Sequence, residues 1–184
     1  MVAAEIAAEL HLPIAVFLIR KLGVPGQEEL AMGAITSGGM KLMNRRVMDA
    51  LAIPESAVEA AVLRETRELE RREALYSRGR GRPDFKARTV ILVDDGIATG
   101  ASIRLAMDAL RKQGAGTIIL AVPVAPPEAL AELRQVADEV VCLAEPSHFV
   151  AVGKWYENFQ QVGDEEVCRL LDMLYAREPA LQSA

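Results

Sequence analysis

The chain has 184 residues, 51% hydrophobic and 26% charged, with aromatics at only 4%. That excludes a disordered chain, and apolar content made mostly of Ala, Leu, Val and Ile favours helices packed on a parallel sheet in a single α/β domain. A net charge of -5 excludes a broad nucleic-acid-binding face, so any anion site must be local.

In chain order, residues 2–10 carry Ala, Ile and Leu at helical spacing and predict a helix. Residues 13–19 (PIAVFLI) are a continuous apolar run after a proline, which predicts a strand buried on both faces and ending at Arg20 and Lys21. A loop with Gly23, Pro25 and Gly26 follows. Residues 31–36 and 40–43, separated by Ser37, Gly38 and Gly39, predict a hairpin laid against the main sheet. Pro54 and Glu55 open a long helix, a proline where its missing N–H costs nothing and an acid at the positive end of the dipole. Val62, Leu69 and Tyr76 recur every seven residues and give this charged rod one apolar seam, suited to packing along an edge. Arg78, Arg80 and Arg82, interleaved with Gly79 and Gly81 and followed by Pro83, end it. They read as a solvated loop, with a mobile lid over an anion as the competing reading.

Beyond Pro83 the pattern is a clean alternation: strand 89–93, helix 103–112, strand 117–122, helix 126–137, strand 139–143. Such an order implies parallel strands with right-handed crossovers and a ligand site at their carboxyl ends. Cys142 and Cys168 have neither metal-ligand nor redox spacing and read as buried core thiols. No apolar run reaches the roughly 20 residues of a membrane span, and MVAAEIAAEL has acids where an export signal has bases. The expectation is a soluble, cytoplasmic protein with no membrane partner.

The informative stretch is VILVDDGIATGAS, residues 90–102, an aliphatic strand running into two acids, a small-residue turn and a helix. Thr99, Gly100, Ala101 and Ser102 fall at the helix start, where unpaired N–H groups and the dipole favour an anion. Small side chains admit a phosphate to the backbone, and the Thr99 and Ser102 hydroxyls add donors. Asp94 and Asp95 would accept hydrogen bonds from a neutral diol. A sugar with a terminal phosphate meets both demands, and two hard carboxylates also suit Mg²⁺. The competing reading is a plain strand-to-helix turn with solvated acids and Ser102 as N-cap. Neither the Gly-Lys-Ser/Thr of a Walker loop nor a Gly-x-Gly-x-x-Gly is present.

The motif resembles the 5-phosphoribosyl 1-pyrophosphate (PRPP) site of type I phosphoribosyltransferases, and the order of elements fits that fold over most of the chain. RKLGVPG, VPVAPPE and AVGKWYENF resemble segments of a bacterial branch of the family. The resemblance implies one domain over 1–184, with a core over 1–145, a small C-terminal hood over 146–184 and a long inserted helix. It implies that Asp94 and Asp95 hold the ribose hydroxyls and act with Mg²⁺, directly or through the substrate. Ala98, Thr99, Gly100, Ala101 and Ser102 would surround the 5′-phosphate. The implied reaction moves phosphoribose from PRPP to a nitrogen acceptor, a nucleobase, with loss of pyrophosphate. Its transition state is oxocarbenium-like, so catalysis is mostly positioning and charge neutralisation.

Arg20 and Lys21 are similar to Arg-Lys pairs that contact PRPP phosphates, with ordinary surface charge as the competing reading. Phe149, Trp155 and Tyr156 fall in the segment that stacks on the base in relatives, with a small satellite core as the alternative. His11 reads as structural, and His148 as a surface or hinge histidine, with a general base as the competing reading. Ala98 stands where purine-using members often carry an acid, so hypoxanthine and guanine are not expected. The chain opens on the helix that follows the family's first strand and pyrophosphate loop, so these are expected to be missing. That would leave a sheet edge to be covered or paired in a homodimer. Two functions fit: a phosphoribosyltransferase, and a non-catalytic module that senses PRPP or a nucleotide.

Overall fold

Alanine at helical spacing makes Val2–Glu9 the first helix, α1, with Ala4 and Ala7 buried. The apolar run after it does not form the expected strand. Residues 13–18 have no regular structure, and strand β1 is Ile19–Val24, so that it includes Arg20 and Lys21 instead of ending at them. An unbroken apolar run states a need for cover without specifying a ladder partner, whereas β1 finds one in β2, Gln27–Thr36, in antiparallel register from Ile19 opposite Thr36. The Ser37–Gly39 turn then returns the chain as β3, Lys41–Met43, also antiparallel to β2. The predicted hairpin is therefore present, but it belongs to a sheet β1-β2-β3 of its own.

The structure, a computed structural model, describes residues 1–79, 81 and 83–176. Those residues divide into two compact units, Val16–Arg82 and Met1–Ala15 with Pro83–Ala184.

In the first of these, Asn44 caps a short helix α2, Arg45–Ala50, which sequence periodicity did not suggest; the Asn44 side chain accepts the Val47 N–H at 3.3 Å. Pro54 precedes the long helix α3, Glu55–Ser77, as its proline and acid predict. Its buried line is Ala61, Glu65, Leu69 and Tyr76, close to the expected seam but with a carboxylate in it. Leu22, Val24, Met32, Ile35, Ala61 and Leu69 form the core. Alternation puts Arg20 on the same face of β1 as the buried Leu22 and Val24. Its Nε and Nη2 donate to Glu65 Oε2 at 2.9 and 2.7 Å, and Arg64 donates to Oε1 at 3.0 Å. Burial works to raise the Glu65 carboxyl, but the Arg20 and Arg64 guanidiniums outweigh it and hold it below its ordinary value of 4.5.

The other unit holds the parallel sheet. Strands β4, Thr89–Val93, β5, Thr117–Val124, and β6, Glu139–Ala144, lie in the order β4-β5-β6. Helix α4, Ala101–Lys112, and helix α5, Pro127–Leu133, connect them. One face of β5 is sealed: Ile118, Leu120, Val122 and Val124 are buried, as are Met107 and Leu110 of α4 and Leu130 and Leu133 of α5. Expected as buried, β4 is only half-covered, and among the described residues it has a ladder partner on one side alone. Edge position likewise leaves Cys142 half-exposed on β6, while Cys168 is buried as expected. The last helix, α6, Asp164–Tyr175, packs on α1. No helix among the described residues is long and apolar enough to cross a membrane.

Because the Glu65 carboxyl is held down in the folded state, its contribution is present above the ordinary value and is lost as pH falls below 4.5. Glu65→Ala is expected to lower stability by about 1–3 kcal/mol at neutral pH, seen as an earlier urea midpoint. The gap between wild type and variant should narrow as the titration is repeated at pH values below 4.5.

Candidate functional site

The site is built where β4 ends. Asp94 is half-buried and Asp95 exposed, and the chain then turns through Gly96 before Ile97 plunges into the core at 2% exposure. The Ile97 N–H donates to the Val124 carbonyl at 2.9 Å, tying the turn to the end of β5. Ala98 and Thr99 return to the surface, Gly100 is buried, and Ala101 and Ser102, both exposed, begin α4. Gly100 has φ +75°, and a Cβ there would stand 3.1 Å from Leu133 Cδ1. Glycine is therefore favoured by conformation, and any side chain there would also have to push Leu133 aside by a few tenths of an ångström.

Gly100, and not Ser102, is the N-cap of α4, and it supplies no side-chain bond. Arg104 N–H makes the bond to the Gly100 carbonyl at 2.9 Å, which leaves the N–H groups of Ala101, Ser102 and Ile103 outside the helical ladder. Among the described residues the Thr99 and Ser102 hydroxyls make no hydrogen bond. The plain capping role considered for Ser102 is thus not the one it has. N–H groups outside the ladder, two uncommitted hydroxyls and the positive end of a helix of 12 residues stand together.

The acids beside them are differently placed. Burial pushes the Asp94 carboxyl above its ordinary value, the Asp95 N–H that it accepts at 2.9 Å pulls it down, and the Asp95 charge pushes it up again, with a net rise. The Tyr156 hydroxyl donates to the Asp95 backbone carbonyl at 2.5 Å. Burial, then the charges of Asp95 and Asp94, keep the Tyr156 phenol above its ordinary value of 10.0, so that it stays a donor. No local pattern in the sequence signals this tether; the sequence offers Tyr156 as a candidate for stacking or as part of a small satellite core.

Of the other aromatic candidates, Trp155 is 47% exposed in a 3-10 turn, Val152–Trp155, and Phe149 is half-buried just before it. The Tyr156 ring meets Phe159 at 5.1 Å between centroids. Arg20 and Lys21 belong to the other compact unit, where Arg20 is engaged by Glu65 and Lys21 is exposed. Arg78 closes α3 with φ 53°, and Arg80 and Arg82, the rest of the candidate lid, lie outside the described residues.

Among the described residues no group of three or more His, Cys, Asp or Glu side chains converges as a metal site. Asp94 and Asp95 supply hard oxygens but too few to complete a Mg²⁺ shell, a donor set that fits the ion only together with ligand oxygens and water.

Comparison with known proteins gives a consistent answer. A family described as the phosphoribosyl transferase domain matches residues 1–160. Two Mycobacterium tuberculosis proteins, whose names assign them provisionally to phosphoribosyl transfer, are 44% identical over 171 residues, 93% of this chain. The chain spans 39% of the length of these curated relatives. The uracil phosphoribosyltransferase of Lactobacillus gasseri is 37% identical over 84 residues, which are 45% of this chain and 40% of that protein. The crystal structure of TT1426 from Thermus thermophilus superposes with a TM-score of 0.77 at 39% identity, covering 92% of this chain and 80% of that one. With a strand-acid-turn-helix unit at the end of a parallel sheet and a family match over 160 residues, the chain belongs to the phosphoribosyl transferase domain family.

Proposed function

We propose that the chain binds PRPP at the turn from Asp94 to Ser102 and transfers its phosphoribosyl group to a nitrogen acceptor, a nucleobase, with release of pyrophosphate. One observation carries this reading: N–H groups outside the helical ladder and uncommitted hydroxyls at the start of α4 lie a few residues from two carboxylates at the end of β4. A phosphate monoester fits the first and vicinal hydroxyls fit the second. A bare polyphosphate would be repelled by the acids, and an unphosphorylated sugar would leave the helix start unused.

In this reading the Ala101, Ser102 and Ile103 N–H groups and the Thr99 and Ser102 hydroxyls hold the 5′-phosphate. Asp94 and Asp95 accept the ribose hydroxyls, and their charge lies near the sugar as it becomes cationic. Fixing both ends of the phosphopentose aligns its C1 with the acceptor nitrogen, and that alignment carries most of the rate gain. When bound, Mg²⁺ supplies charge neutralisation for the departing pyrophosphate. Ala98 offers no group for the acceptor's proton. That feature, together with the uracil named for the Lactobacillus gasseri relative, puts pyrimidines ahead of purines as acceptors.

With PRPP, Mg²⁺ and a panel of nucleobases headed by uracil, the protein is expected to release pyrophosphate, measured by a coupled phosphate assay. Binding of PRPP without turnover on any acceptor would instead support the sensor reading. Asp95→Asn is expected to weaken PRPP binding by about tenfold or more in calorimetry while the far-ultraviolet circular dichroism stays that of wild type. An unchanged affinity would remove the ribose role from Asp95.

A further inference from the structure

Three successive residues of the turn are gripped from outside it. The Asp95 carbonyl accepts the Tyr156 hydroxyl, 61 residues away in the chain. At Gly96 a Cβ would stand 2.6 Å from Val152 Cγ1 and 3.0 Å from Val124 Cγ1, so Val152 lies directly on this backbone. Ile97 is hydrogen bonded to Val124. Two of the three grips therefore come from one short segment, 152–156, outside the motif. That segment is itself braced: Gly153 meets Phe159, whose Cδ1 would be 2.7 Å from an added Cβ, and the Phe159 ring supports that of Tyr156.

Asp95 lies beyond the last ladder bond of β4 and before the first turn of α4, so no regular structure fixes its peptide planes. Its N–H is held by Asp94 Oδ1 and its C=O by Tyr156. Rotation of the peptide unit after Asp95 would break the second bond and release the Asp95 Cα, and with it the Asp95 carboxylate and the N–H that Asp94 Oδ1 accepts. The phosphate-facing end depends on other contacts, namely Gly100 against Leu133 and the α4 ladder.

We propose that Tyr156, with Val152 beside it, is a positioning residue: through the Asp95 carbonyl it holds the Asp94 and Asp95 carboxylates in the geometry that accepts the sugar hydroxyls. The inference rests on the reading of this turn as a phosphopentose site. It sets Tyr156 apart from the stacking role that its place in the sequence suggests, since its hydroxyl and one side of its ring are both engaged.

The test compares ribose 5-phosphate, which uses both ends of the turn, with inorganic phosphate, which uses only the helix start. Affinities are measured by calorimetry on wild type, Tyr156→Phe, Val152→Ala and Asp95→Asn, with thermal midpoints alongside. Loss of one hydrogen bond in Tyr156→Phe is expected to weaken ribose 5-phosphate by about three- to tenfold and to leave inorganic phosphate unchanged. Val152→Ala should show the same selective loss to a smaller extent, and it serves as the variant of record if Tyr156→Phe does not fold. Unchanged affinity for ribose 5-phosphate, or equal weakening of both probes, overturns the positioning role even while Asp95→Asn still weakens the sugar probe. If Asp95→Asn leaves ribose 5-phosphate unaffected, the ribose role of Asp95 on which the inference rests fails, and the positioning role falls with it.

Discussion

The hydrogen bond from the Ile97 N–H to the Val124 carbonyl, 2.9 Å long, joins the loop after β4 to the end of the neighbouring parallel strand. Parallel pairing sets Val93, the end of β4, opposite Ala121, and β5 runs on to Val124, so this bond fixes the turn against the part of β5 that extends past β4. Sealing the Ile97 side chain in the core makes it costly to undo, because exposing a side chain of that size forfeits about 1.5–3 kcal/mol of burial. From this one anchor the rest follows in both directions. The acids before it are kept at the end of the sheet, and the residues after it are delivered to the start of α4, where the first N–H groups lie outside the helical ladder.

The smaller unit solves a different problem. Its antiparallel sheet is covered by α3, and both partners contribute a charge to the contact, Arg20 from β1 and Glu65 from α3. The Glu65 carboxylate, the more buried of the two, would be costly there alone. Together, with Arg64 on the second carboxylate oxygen, they satisfy the polar atoms of Glu65 at 11% side-chain exposure. The same Arg20 that family resemblance associates with phosphate is thus engaged by a carboxylate of its own unit.

Much of this was legible in the residues. The alternation of β5 and the aliphatic run of β4 are driven by burial, which hydropathy reports directly, and the long helix was announced by its proline, its acid and its seam. The turn proposed to bind the ligand was legible because the chemistry proposed for it is local, two acids and small residues at fixed offsets. What escaped notice depends on partners distant in the chain. The run at 13–19 looked like a strand because hydropathy cannot say where a ladder partner is, and β1 was hidden because Arg20 breaks the apolar alternation that its ion pair permits. Helix α2 rests on an Asn44 cap and shows almost no apolar period. The Tyr156 tether joins residues 61 apart, and no local pattern signals it.

The central claim is that a phosphorylated pentose sits on the turn between β4 and α4. Amide-resolved NMR during addition of ribose 5-phosphate tests it most directly. The account predicts shifts concentrated on the backbone amides of residues 94–103, largest at Ala101, Ser102 and Ile103, with a weaker echo at Tyr156. Shifts centred elsewhere in the chain, or none at millimolar ligand, would contradict it.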